Sequence, residues 1–331
     1  MFESRDYIVR WYQERHSRQV NARNSHAITT CFIQGREYFE AASSSSTSVR
    51  PLLLYYGVLS MARGVILLRD TSKKEESLKP SHEIEAVDWG ATLAGGLDKI
   101  LDVRIRATNG TFGELVRAVG SMQSTGWRNR VGGPGYYYAT YTQPAFVNGS
   151  DCITLDDLIA RDHRFLALYP RMTGRQPRVH LGEIIADPAR GIDVSIFAGF
   201  SAEAEVQMRF GQPAARTITL QKMAERIPIL ATHFLVPGTD LNSLKPDLPL
   251  TQFVGQDGMF IAEDFPNGDR LSELLRTFLL SYILGMIVRY YPSRWIALLH
   301  NEMGDVAQPC LKSAARAIAA DFPRLTVEAL S

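Results

Sequence analysis

Apolar positions recur every three to four residues in several long segments, and the widest such face lies near the C-terminus. In GDRLSELLRTFLLSYILGMIVRYYPSRWIALLH, from Gly268 onward, Leu274, Leu275, Phe278, Leu279, Tyr282, Ile283, Met286, Ile287 and Tyr290 fall at helical spacing. Asp269 is the expected N-cap, and Glu273 adds negative charge to the first turn. Pro292 ends or kinks the run, which restarts towards His300. Ile28, Cys31, Phe32, Tyr38, Phe39 and Ala42 predict a second helix over roughly His26 to Ala42, capped by Asn24 or Ser25. A serine-rich loop (Ser43 to Ser48) separates it from PLLLYYGVLSMARGVILL, which opens at Pro51 and is apolar almost all round. A short polar loop between two such helices predicts an antiparallel hairpin. Gly57 and Gly64 share one face of the second helix, each at a propensity cost of roughly 1 kcal/mol against alanine. Close approach of a neighbouring helix accounts for both.

The remaining helical patterns are shorter. Residues 1 to 24 predict a short helix and linker, with Tyr7, Ile8, Trp11 and Tyr12 as its apolar stripe. Thr154 caps a helix over LDDLIARDHRFLALY, and Gln308 to Ala320 forms a last helix that stops before Pro323. Elsewhere the period changes to two. Leu101, Val103 and Ile105 alternate with Asp102, Arg104 and Arg106, as in a half-exposed strand. Asn109-Gly110 is a turn signal, and the following TFGELVRAV is either a returning strand or a short helix. VHLGEII, DVSIFAGF, EVQMRFG and ARTITL are strand-like, and QDGMFIAEDF reads as a hairpin. Residues 120 to 150 are rich in Gly, Ser, Thr and Tyr and read as a long irregular region. The pattern as a whole predicts a predominantly helical α+β fold. N-terminal helices (1–80) and C-terminal helices (266–331) pack together around an inserted small antiparallel β region with long loops (81–265).

Composition narrows the function classes. The chain has 331 residues and a formal net charge of +1, so no global field draws it to nucleic acid or membrane. Its 3 cysteines are far apart and odd in number, which supports neither a disulfide framework nor a zinc site and points to a reducing compartment. The N-terminal residues mix charges of both signs without an apolar core, unlike a signal peptide. The run from Thr277 to Val288 falls short of the roughly 20 residues of a membrane span. A cytoplasmic protein without membrane contact is expected. GxxxxGK[ST], GxGxxG after a strand, HExxH and GxSxG are all absent, so no cofactor is called for. The acid pairs Asp156-Asp157 and Glu263-Asp264 read as caps or solvated faces, and no metal is expected.

CFIQGREYFEAA, RPLLLYYGVLSMARGVILL, NGTFGEL and SYILGMIVRYYPSRWIALL together resemble the bacterial YaaC-like family. The matched blocks span residues 26 to 300. The resemblance implies a cytoplasmic bacterial protein whose helical core is HEPN-like. It also implies a place beside other protein subunits, such as an ATPase or nuclease encoded nearby, in antiphage defence clusters. It supplies no catalytic set. HEPN-type ribonucleases use an arginine and a histidine four to six residues apart, the arginine stabilising phosphate charge and the histidine moving a proton. Arg294 and His300 fit that spacing directly after the long helix, and Arg10 and His16 fit it near the N-terminus. On a regular helix the first pair lies about 120° apart, so convergence requires a bend or a second protomer. A second candidate surface joins Trp127, Arg128 and Arg130 to Tyr136, Tyr137 and Tyr138, residue types that stack bases and hold phosphates or anchor a protein partner. Arg161, His163, Arg164, Arg171, Arg175 and Arg178 form a further basic run. Three functions remain in play: a non-catalytic or regulatory scaffold subunit of a multi-protein assembly, a HEPN-like metal-independent ribonuclease acting as a homodimer, and a nucleic-acid-binding accessory protein.

Overall fold

The computed structural model describes residues 2–79, 84–107, 110–120, 122–129, 133–140, 152–187, 191–197, 208–209, 216–221, 228–236, 251–255, 258–300, 302 and 307–330. They form an α+β fold, predominantly helical, in two compact units: Met1–Gly120, Pro144–Leu158 and Glu273–Ser331 make one, and Ser121–Gln143 and Ile159–Ser272 the other.

The first unit is helical. Its N-terminal helices are α1 (Arg5–His16), α2 (Ala22–Ser44) and α3 (Arg50–Arg69). The cap of α2 is Asn21, whose side chain accepts from the Asn24 N–H, not the expected Asn24 or Ser25. The helix therefore gains a turn at its start. Pro51 stands in the first turn of α3 as expected. α2 and α3 pack as a close hairpin whose glycines are steric requirements. A Cβ at Gly57 would stand 2.9 Å from the Phe39 ring, and one at Gly64 would stand 3.0 Å from Phe32. By length and composition α3 could cross a membrane, but 72% of that stretch is buried within the protein, as in a core helix.

The same unit contains β1 (Ile84–Val87), α4 (Trp89–Ala94), β2 (Arg104–Ala107) and α5 (Thr111–Val119). The alternation at 101–106 covers only part of a strand, because Leu97–Asp102 is a 3₁₀ turn and β2 begins at Arg104. TFGELVRAV is the helix α5, and Gly120 closes it in the left-handed region at φ 58°. A three-stranded antiparallel sheet runs β1–β2–β5, where β5 is Ile153–Thr154.

The long C-terminal helix of the sequence is two. α8 (Glu273–Tyr290) and α9 (Pro292–Leu299) meet at 105°, the kink expected at Pro292. Asp269 is not the cap of α8. Its N–H donates to the Asn267 side chain in a turn four residues upstream of Glu273. All of α8 from Leu274 to Val288 is buried. Gly285 lets α3 approach, because a Cβ there would stand 2.7 Å from Tyr55 Cβ. α10 (Gln308–Leu330) continues through Pro323 instead of stopping before it. Leu325, Thr326, Ala329 and Leu330 are buried on the far side of the proline, so tertiary burial outweighs the lost backbone bond. Its last carbonyls are also held. Arg69 donates to Ala329 O at 2.6 Å and Trp11 to Leu330 O at 2.9 Å.

The second unit is built on a sheet of eight strands: β3 (Met122–Asn129), β4 (Gly133–Thr140), β6 (Val179–Asp187), β7 (Gly191–Ile196), β8 (Arg216–Gln221), β9 (Pro228–Val236), β10 (Thr251–Gly255) and β11 (Gly258–Ala262). The order β10–β11–β6–β7–β9–β8 is antiparallel throughout, and β3 joins β6 in parallel. QDGMFIAEDF, expected to be a hairpin in itself, supplies only the second strand of one: β11 pairs with β10, which lies before that segment, with Gly255 opposite Gly258. Within the stretch expected to be irregular, 120–150, the described residues 122–129 and 133–140 are strands. β3 and β4 pair over eight residues each, from Met122 opposite Thr140 to Asn129 opposite Gly133. In EVQMRFG only Met208 and Arg209 are described, and they are helical; the rest of that segment lies outside the described residues. The helix expected after Thr154 is broken into α6 (Leu155–Ala160), a 3₁₀ turn at His163–Phe165 and α7 (Tyr169–Thr173). Asp162 interrupts it by accepting from the Arg164 N–H at 3.0 Å, an alternative to the helical bond.

Candidate functional site

Among the described residues, the densest group of ionisable side chains lies in the β unit, at the end of β11. Glu263 follows β11 and its carboxylate is 2% exposed. His180 on β6 bonds one carboxylate oxygen through Nε2 at 2.8 Å, and Arg209 donates to the same oxygen at 2.7 Å. Arg178 reaches the other oxygen at 3.3 Å. Strand pairing sets this up. β6 and β11 pair Val179 with Ala262 and His180 with Ile261, and the Glu263 N–H donates to Arg178 O. Burial alone would raise the Glu263 pKa. The bonds from His180 and Arg209 outweigh it and hold the carboxyl below its usual range.

A second layer lies directly beside it. Arg161, 1% exposed, donates to the carbonyls of Glu263 and Asp264 and stacks over Phe265 at 4.8 Å. Asp264 accepts from Arg270 at 2.7 and 2.8 Å. Burial pushes its pKa up, and Arg270 opposes the shift without cancelling it. His163 stacks on Phe260 with centroids 5.1 Å apart, and Arg164 is paired with Asp162. The acid pair Glu263-Asp264 and two members of the basic run, Arg161 and Arg178, are therefore parts of one cluster. Sequence alone showed both parts but no link between them, since the register of β6 on β11 is what joins them. His180 and Arg209 carry no motif and were missed. Chemically, the arrangement fixes a carboxylate among cations and orients the His180 imidazole. A carboxylate with three donors acts as a lock between strands rather than as a free base.

The sequence-derived candidates lie elsewhere. Arg294 is half-buried on α9, and His300 is the exposed C-cap of that helix. Among the described residues neither side chain makes a hydrogen bond or ion pair. The buried side of α9 belongs to Trp295 and Leu298. Of the other arginine–histidine pair, His16 is docked on α3 by a 2.9 Å bond between Nε2 and Leu68 O, while Arg10 is exposed. Trp127 and Arg128 are on β3, and Tyr136, Tyr137 and Tyr138 are on β4. Alternation along the paired strands puts positions 127 and 137 in one set and positions 128, 136 and 138 in the other. Their side chains, and Arg130 altogether, lie outside the described residues.

Among the described residues no group of three or more His, Cys, Asp or Glu is placed to hold a metal ion. Burial pushes the thiols of Cys31 and Cys310 up to about 11, so both are protonated and unreactive at neutral pH.

The family described as YaaC-like Protein matches residues 1–330. No curated protein and no solved structure matches the chain.

Proposed function

Since the chain belongs to the YaaC-like family across residues 1–330, we propose that it is a non-catalytic, regulatory or scaffold subunit of a bacterial multi-protein assembly. It works in the cytoplasm, in defence against phage, beside other subunits such as an ATPase or nuclease encoded nearby. The observation that supports this reading is a set of large apolar side chains facing solvent around the α8–α9 bend. Tyr290 is 60% exposed, Val49 46% and Ile296 39%. The Trp295 indole, next to Ile296, donates to Thr47 O at 3.2 Å, which ties α9 to the loop that carries Val49. Exposed apolar and aromatic side chains grouped in this way mark protein interaction surfaces. The test is co-expression with the proteins encoded beside it, followed by size-exclusion chromatography. Co-elution is expected with at least one of them, and the double substitution Tyr290→Glu, Ile296→Glu is expected to abolish it with helix content unchanged. A chain that remains monomeric and elutes apart from every neighbour overturns the reading.

A second reading is a HEPN-like, metal-independent ribonuclease acting as a homodimer. It is favoured by the placement of Arg294 on α9 and His300 at its C-cap, directly after α8, neither side chain with a hydrogen bond or ion pair among the described residues. It predicts RNA cleavage in EDTA that is lost in Arg294→Ala and His300→Ala, with the thermal midpoint retained. Cleavage indifferent to both substitutions removes them from the mechanism. The third reading, a nucleic-acid-binding accessory protein, draws on the β3–β4 hairpin with Trp127, Arg128 and Tyr136–Tyr138. It predicts salt-dependent binding weakened by Arg128→Ala.

A further inference from the structure

The helical unit has a cavity of about 70 Å³ lined by Thr47, Arg50, Pro51, Trp295, Leu299, Lys312, Ala315 and Arg316. Three of these side chains are cationic and none is a carboxylate. We propose that this cavity is an anion site for a small phosphorylated ligand, with the phosphate among Arg50, Lys312 and Arg316 and the ligand's apolar or planar body along Trp295, Leu299 and Pro51.

Three features carry the proposal. Arg50 is already fixed in place, because its Nε donates to Ala42 O at 3.0 Å and its Nη2 to Ser45 O at 2.8 Å. That leaves Nη1 as an oriented donor whose ordering cost has been met within the fold. Lys312 and Arg316 stand four residues apart on α10, one half-buried and the other exposed, and neither has a hydrogen bond or ion pair among the described residues. Like charges at that spacing repel, and an anion between them turns the repulsion into two attractions. The wall at Arg50 and Pro51 is also the first turn of the 20-residue helix α3, which contains no acidic residue. The N–H groups of Arg50, Leu52 and Leu53 already donate to Ser46 O and Val49 O, so the helix contributes its dipole rather than free donors. Its partial positive charge adds to the same field. The volume admits several waters at about 10–15 Å³ each by this measure, hence a phosphate group but not a whole nucleotide. The remainder of a ligand would therefore lie on the apolar wall. The site does not depend on the assembly reading and stands or falls separately from it.

The test is calorimetric titration of the full chain at low salt with inorganic phosphate, AMP and adenosine. Phosphate and AMP are expected to bind, AMP more tightly, with no binding of adenosine. In the double variant Lys312→Gln, Arg316→Gln, AMP affinity is expected to fall at least about tenfold, as for loss of a charge-assisted hydrogen bond. The single Arg316→Gln, at an exposed position, gives a smaller loss in the same direction and keeps the test valid if the double variant unfolds. Adenosine binding as tight as AMP, unchanged AMP affinity in Arg316→Gln and a folded double variant, or no heat from any probe up to about 10 mM would each overturn the proposal.

Discussion

Along α3 and α8 the buried interior is mostly hydrocarbon, with Arg276 and the hydroxyls of Ser60, Thr277 and Ser281 the polar exceptions, and glycines let the backbones come close. Around β6 and β11 the buried interior holds a carboxylate and the cations that neutralise it. The helical unit derives its specificity from shape. Tyr55 fits against Gly285 and Phe39 against Gly57, and a single added methyl group has nowhere to go. The β unit derives it from charge. Glu263 is satisfied only when His180, Arg209 and Arg178 all arrive in register. A packed hydrocarbon core tolerates a change of pH and resists a change of volume. A buried ionic lock does the reverse.

The largest expected effect strikes the ionic side. Glu263→Gln removes the buried negative charge that His180, Arg209 and Arg178 share and should cost about 3–5 kcal/mol, the range for breaking a buried pair. Hydrogen exchange should show the loss on β6 and β11 with α3 and α8 still protected. Equal loss in both units would break the contrast. Gly285→Val tests the other side and should cost about 1–3 kcal/mol by overpacking against Tyr55, read as a lower urea midpoint. A neutral result would mean that α3 and α8 can separate at little cost.

pH dependence sharpens the distinction. The folded-state pKa of Glu263 is depressed. Its contribution to stability is therefore present above the unfolded value, about 4.3, and is lost as pH falls through the lower folded value. Asp264 is raised, so its contribution has the opposite sign and is lost as pH rises through its folded value. Urea midpoints measured from about pH 6 down to pH 3 should fall for the parent chain and fall less steeply in Glu263→Gln. Parallel curves would show that Glu263 titrates normally. The smallest effect concerns a cap. Asn21→Ala should cost about 1 kcal/mol and Asn24→Ala close to nothing, seen as a drop in Tm for the first only.

What could be read from the sequence follows the range of the forces involved. Helical faces are local, so α1, α2, α3 and the α8–α9 break at Pro292 were all visible in the spacing of apolar residues. The tight packing at Gly57 and Gly64 was visible too, since a glycine on a buried helix face carries its own explanation. Ends were harder. Asn21 lies about two turns before Ile28, the first residue of the apolar stripe, and Pro323 marked a stop that buried neighbours overrode. The β3–β4 hairpin was hidden because its glycines and serines mask the alternation that strands usually show. The Glu263 cluster depends on pairing between strands about eighty residues apart, and no pattern within either segment encodes that register.

The helical unit is drawn from three stretches of chain, and its two long, largely buried apolar helices, α3 and α8, come from opposite ends of the sequence. During synthesis α3 leaves the ribosome long before α8, with the whole β unit made in between. At about 5–20 residues per second the interval lasts roughly 10–40 s. Throughout it α3 has α2 to cover one side and nothing to cover the side that Gly285 will meet. A nascent chain in that state is a natural client for chaperones, and truncation before residue 273 should yield aggregates rather than a smaller folded protein.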